Sequence, residues 1–331
     1  MYKLSFLFIL SILFVNKNYS QDFKGHVEKL DPSLDAIISI DAKVEIIADG
    51  FDWSEGPVWV EQQKMLLFSD VPQNIIYKWT ESKGKEIYLT PSGYTGTIPR
   101  AGEKGSNGLT LTKNGKLLIC MDGDRRLATM SADFKNPKPV FVTMTNNYNG
   151  KKFNSPNDLV YNKNGDLFFT DPPYGLEKNM DDPLKEISFQ GVYKIKKSGE
   201  LVLLLDSLTR PNGIAITPDQ KTLLIANSDP LKPYWYAYDF GAAGKLINPR
   251  IFYDASEAAK TEKGMPDGMK IDSKGNVFAT GPGAVWIFNK TGNLLGKIKF
   301  DGLVSNCALS PDEKTLYITA DMYVLRVKMR S

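Results

Sequence analysis

One position in this sequence carries a side-chain oxygen each time a repeated segment comes round: Glu55, Asn107, Asn157, Asn212, Asp267 and Asn306. None of the six is basic, and carboxylates mixed with amide carbonyls are the donor set of a hard cation. Glu55 and Asp267 supply two negative charges, enough to balance a divalent ion, so the pattern predicts calcium first and magnesium second. Asn and Asp before a strand also shape turns, and that role competes with ligation, most of all at Asn107 and Asn306. Glu has no such turn preference, so Ser54-Glu55-Gly56-Pro57 argues for the carboxylate itself. A second set, Asp70, Asp122, Asp171, Asn227, Gly281 and Asp321, falls at the far end of the next strand and hence on the same face. Asp171 stands out there, because Thr170-Asp171-Pro172-Pro173-Tyr174-Gly175 stiffens the chain beside a carboxylate. For Asp70 and Asp321 the expectation is surface salt bridging.

Composition removes most other chemistries. His26 is the only histidine, which leaves no imidazole for a Ser-His-Asp triad, a Cys-His dyad or a His-ligated metal. Ser155 has no activating partner of the usual kind, and no G-x-S-x-G elbow exists. Lys plus Arg number 41 against 38 for Asp plus Glu, a net charge of +3 without a basic stripe, which argues against nucleic acid as a partner. Two cysteines in 331 residues make neither a disulfide scaffold nor a zinc cluster.

The elements that must position the marked residues follow from the repeat. Each segment runs a short apolar strand, a polar turn such as Lys113-Asn114-Gly115-Lys116 or Pro218-Asp219-Gln220-Lys221, and a second apolar strand such as Leu117-Leu118-Ile119-Cys120 or Leu223-Leu224-Ile225-Ala226. A period of about 50 residues suits a four-stranded blade with its loops, and six of them predict an all-β, six-bladed β-propeller. The last blade is short of a strand, and the apolar segment Val44-Glu45-Ile46-Ile47-Ala48 upstream of the first repeat is free to complete it and close the ring. Asp31-Pro32-Ser33-Leu34 reads as the capped start of a short helix. Residues 1–20, with Lys3 before the apolar run Leu4 to Val15, have the layout of a secretory signal peptide and too few apolar residues to span a bilayer. The expectation is an exported protein, periplasmic or secreted, without a stable membrane anchor, whose residues 21–331 form one domain. The sequence carries no signal for oligomeric state. Cys120 and Cys307 fall on different blades, out of disulfide reach, and are expected as buried thiols. Trp59 and Trp79 read as packing between blades and Trp53 as lying nearer the mouth, while Tyr234-Trp235-Tyr236 fits a rim loop or a strand.

Five blocks resemble the SMP-30/gluconolactonase/LRE family of calcium-dependent lactone hydrolases, in its bacterial gluconolactonase branch. They are Ala48 to Trp59, Phe153 to Val160, Thr170 to Gly175, Arg210 to Ala215 and Pro266 to Met269, in the family's order. The resemblance implies a six-bladed propeller, a metal bound by Glu55, Asn212 and Asp267, and Asn157 facing both metal and substrate. It departs at Ser155, where animal members place an arginine, and at Met121-Asp122, where the family block often carries Glu-His. The chemistry implied is hydrolysis of a small lactone such as gluconolactone by metal-activated water. Asp267 is the leading candidate for the base, with Asp171 and Asp122 as alternatives, and Asn157 steadies the oxyanion or the water. Asn107, Asp122, Ser155 and Asp171 are the expected substrate contacts. Two other readings of the same mouth are a binding propeller that holds a sugar acid or peptide without turnover, and a hydrolase acting on a phosphotriester.

Overall fold

The computed structural model describes residues 24–330, so the signal peptide read at residues 1–20 lies outside the described residues. The second strand of each repeat has almost no polar residue to offer water. Met65–Asp70, Leu117–Met121, Leu167–Asp171 and Val277–Gly281 are buried at every position, and each lies inside an antiparallel sheet with neighbours on both edges. The innermost strands are Ser54–Val60, Ser106–Leu111, Leu159–Tyr161, Pro211–Ile216, Met269–Ile271 and Asn306–Leu309, one per blade.

Closure of the ring is visible in both hydrogen bonds and packing. Val44–Asp49 pairs antiparallel with Tyr323–Lys328 and completes the sixth blade, as the sequence predicts. Arg326 binds both carboxylate oxygens of Glu45 across that seam, at 2.7 and 3.0 Å. Apolar clusters fill all six blade interfaces. Leu67 of the first blade packs with Ile119 of the second, Phe168 of the third with Ile225 of the fourth, and Phe68 of the first with Tyr317 and Val324 of the sixth. A solenoid would leave that last interface open.

One strand is not foreseen in the sequence, and one alternative left open there is decided. His26–Lys29 adds a fifth strand to the fifth blade, against Leu294–Lys299. Four mostly polar residues carry no periodicity that would announce it. Tyr234-Trp235-Tyr236 belongs to the strand Lys232–Phe240, with Trp235 buried 5.6 Å from Trp286, so ordinary strand packing explains it and a rim loop does not. The helix over Pro32–Ala36 is a single 3-10 turn, capped by Asp31 accepting from the Ser33 amide at 2.8 Å. Cys120 and Cys307 form no disulfide and are buried in different blade interfaces.

Candidate functional site

The marked residues reach the axis because the inner strands break their ladders there. Pairing slips between Glu55 and Val58, between Ser106 and Leu109, and between Pro211 and Ile214, the same place in three blades. Such a bulge re-aims side chains that a regular strand would send into the sheet. The glycine that follows the mark has its own reason. A Cβ on Gly56 would come within 2.0 Å of the Asn107 carbonyl oxygen, and one on Gly213 within 2.2 Å of that of Asp267, so neighbouring blades touch backbone to backbone. Hydroxyls tie the same turns together: Ser69 donates to Asn107 O at 2.8 Å, Thr170 to Asn212 O at 2.7 Å and Ser305 to Ser54 O at 2.6 Å.

At the mouth of the axis lies a cavity of about 240 Å³. Glu55, Asn107, Asn157, Asn212 and Asp267 all line it, so five of the six marked residues share one space. Trp53, Glu103, Tyr174, Arg210, Ser228, Pro230 and Met265 complete its wall. Burial, followed by the charge of Glu55 and other acids, holds the Asp267 carboxyl well above the usual carboxylate range. Glu55 is raised too, mainly by burial, although the Gly56 amide and the Asn306 amide donate to it at 2.6 and 3.0 Å.

Hydrogen bonding decides which of these oxygens remain open. The Ser228 hydroxyl has one proton, donated to Pro266 O at 2.6 Å, so it must accept from Asn212 Nδ2 at 3.0 Å. That fixes the Asn212 amide with Oδ1 left over for the cavity. The buried Oδ1 atoms of Asp267 and Asn107 have no hydrogen-bond partner among the described residues. Buried polar atoms are nearly always satisfied, so orphans gathered around one cavity mark a place where a ligand completes the shell. The open donors on the marked residues are all oxygens, which fits a hard divalent cation. No three His, Cys, Asp or Glu side chains cluster as metal ligands among the described residues, so a cation here needs the amide oxygens as well.

The remaining expected residues sit elsewhere. Asp171 is fully buried and accepts the backbone amides of Asn154 and Ser155 at 2.9 and 2.8 Å, which shapes the turn leading to Asn157. Asp70 does the same for Asp52 and Trp53, and Asn227 for Arg210, so much of the second set is loop scaffolding. Asp70 is therefore buried rather than a surface ion pair. The Ser155 hydroxyl donates to Pro172 O at 2.6 Å and accepts from the Gly175 amide at 2.9 Å. Neither Asp171 nor Ser155 lines the cavity. Asp122 is fully buried and does not line the cavity; burial holds its carboxyl well above the ordinary range, against the lowering influence of the Asn107 side chain beside it. Asn306 spends its Oδ1 on the Cys307 amide at 2.9 Å and its amide on Glu55, so it supports a ligand candidate and offers no oxygen of its own.

Glu103 and Tyr174 come from two loops; the sequence reading does not single out Glu103, and places Tyr174 within Thr170 to Gly175 without giving it a role. Arg100 joins these loops by donating to Gly123 O and Gly175 O, and the Ala101 amide donates to Glu177 at 3.0 Å. Burial pushes the Glu103 carboxyl up to about 7. No local spacing announces Glu103, because its approach to the axis depends on how its loop folds over the mouth, whereas Tyr174 lies in the block Thr170 to Gly175 that the sequence does mark. Trp53, Arg210 and Met265 did leave a signal: each stands two residues before a marked position.

Fold and site together define a six-bladed propeller with an oxygen-lined axial cavity. Residues 53–321 match the SMP-30/gluconolactonase/LRE-like region, and the chain belongs to that family. It is 39% identical to a gluconolactonase of Zymomonas mobilis over 93% of this chain and 87% of that one. It is 24% identical to regucalcin of Xenopus laevis over 84% and 86% of the two chains. Among solved structures, a gluconolactonase from Xanthomonas campestris superposes with a TM-score of 0.79 at 27% identity, covering 93% of this chain and 97% of that one.

Proposed function

We propose that the protein hydrolyses a sugar lactone in the axial cavity, with a divalent cation, calcium, held by Glu55, Asn157, Asn212 and Asp267. The single observation that carries this reading is the pair of unsatisfied oxygens on Asp267 and Asn107, beside an Asn212 amide whose nitrogen is held by Ser228, around the buried, mutually repelling carboxyls of Glu55 and Asp267. Similarity over nearly the whole chain to a gluconolactonase of Zymomonas mobilis supports the lactone as substrate. Bound there, a divalent cation supplies Lewis acidity, polarising a carbonyl oxygen and acidifying a water. Asp267, through a carboxylate oxygen not taken up by the cation, accepts the proton of the water that attacks the lactone carbonyl. Asn157 and Asn107, both facing the cavity, orient the water and the acyl oxygen. As the ring C–O bond breaks, Glu103 donates a proton to the departing oxygen, a task suited to a carboxyl poised near neutrality. The resulting product is the open-chain hydroxy acid. The pattern of residues 1–20 supports placing this reaction outside the cytoplasm.

Chelation tests the proposal. Protein treated with a chelator and freed of it is expected to lose hydrolysis of D-glucono-1,5-lactone to the buffer background while keeping its far-UV circular dichroism, and calcium is expected to restore the rate. Full activity in the chelated protein overturns the metal assignment. An absence of turnover on a panel of lactones with calcium present overturns the reaction.

A further inference from the structure

Arg210 is the one basic residue in the cavity wall, among acidic Glu55, Glu103 and Asp267. Its backbone is pinned on both sides: the amide donates to Asn227 Oδ1 at 2.9 Å and the carbonyl accepts from the Ser228 amide at 2.9 Å. Its guanidinium makes no hydrogen bond or ion pair to any described residue. Asp229 feels its charge, yet that carboxylate is spent on the Thr209 hydroxyl at 2.6 Å and the Leu231 amide at 2.9 Å. The repeat explains how the side chain comes to the mouth. Two residues before the mark the six blades carry Trp53, Gly105, Ser155, Arg210, Met265 and Val304, and three of these, Trp53, Arg210 and Met265, line the cavity. Arg210 is the only charged residue of the six, and the only one that offers a fork of several donors to that wall.

A guanidinium offers five N–H donors and no acceptor, so whatever occupies the cavity beside it must present oxygens. Glu103 adds a carboxyl to the same wall and Tyr174 a phenol, the latter paired with Ser228, whose own proton is spent on Pro266 O. That mixture matches a ligand with several hydroxyl groups better than a plain acyl chain, which would leave the polar wall unpaired. We propose that Arg210 is a specificity-determining residue that donates hydrogen bonds to the hydroxyl oxygens of a polyhydroxylated lactone. This rests on the lactone reading above and adds to it the part of the substrate that is recognised. The hydroxyls persist in the ring-opened acid, so the product reports on the same contact.

The test compares wild type with Arg210→Met in calcium-containing buffer on D-glucono-1,5-lactone and on δ-valerolactone, the same ring without hydroxyls. Titration of D-gluconate by calorimetry gives a second readout. One or two lost bonds to a charged donor correspond to roughly ten- to a hundredfold. The expected result is a loss of that size in kcat/KM for gluconolactone, a change under about threefold for δ-valerolactone, and at least tenfold weaker gluconate binding. Equal losses on both lactones, or gluconate affinity unchanged from wild type, overturn the assignment, as does a wild type that binds no gluconate. A wild type that opens neither lactone overturns the lactone reading instead, and gluconate binding then decides on Arg210 alone. Should Arg210→Met not fold, Arg210→Lys, which keeps the charge and loses the planar fork, is expected to show the same contrast with a smaller loss.

Discussion

Asp267→Asn is expected to melt a few degrees above the wild type in calcium-free buffer, to lose the stabilisation by calcium, and to hydrolyse gluconolactone about a thousandfold more slowly. The first effect follows from burial. Asp267 and Glu55 line one cavity, each raised by desolvation, and removing one of two like charges relieves their repulsion. Loss of the calcium response follows from linkage. A ligand that binds only the folded state at about a hundred times its Kd contributes about 2.7 kcal/mol, and a site deprived of a carboxylate forfeits most of that. The rate falls because the same side chain would take the proton from water, a contribution of about 10² to 10⁴. Thermal melts with and without calcium, run beside initial rates, separate the three effects. A variant that is less stable without calcium, yet still stabilised by it, contradicts the assignment of Asp267.

Removing everything before Gly50 is expected to abolish cooperative folding, and adding residues 24–49 as a peptide is expected to restore it. The truncated chain loses the strand that pairs with Tyr323–Lys328 and leaves the hydrogen-bonding edge of the sixth blade bare. It also loses Leu34, Ile38 and Val44, all fully buried in the cluster between the fifth and sixth blades. Deleting one large buried apolar side chain costs about 2–5 kcal/mol, and a domain holds only about 5–15 kcal/mol in total. Three such losses together with an opened seam exceed what the ring can absorb. A cooperative melt of the truncated chain near the wild-type temperature would mean that the strand does not close the ring.

Much of this architecture was legible because the repeat forces it. Buried second strands such as Leu117–Met121, turn chemistry at the strand ends and an apolar segment left over near the N-terminus leave one way to hide every edge. The candidate site was legible where it depends on repeat position: Glu55, Asn107, Asn157, Asn212 and Asp267 meet because equivalent residues on a ring point to its centre. It was illegible where the same residue type serves two tasks. Asp171 reads in sequence as an alternative base and substrate contact and Asp70 as a surface ion pair, but both carboxylates are occupied by the backbone amides of the preceding turn. Asn306 occupies a marked position and is turned round by the Cys307 amide, so it donates where its neighbours offer oxygen. Glu103 lay beyond sequence reasoning, since only the folding of the Arg100-linked loops brings it to the mouth, while Tyr174 stood in the marked block Thr170 to Gly175 without a role assigned to it.

The most direct measurement is a crystal structure of the protein grown with calcium, with anomalous scattering used to locate the ion. A single peak in the axial cavity is expected, with oxygens of Glu55, Asn157, Asn212 and Asp267 at about 2.3–2.6 Å. Calcium bound only outside the cavity, or coordinated there without the Glu55 and Asp267 carboxylates, would contradict the account.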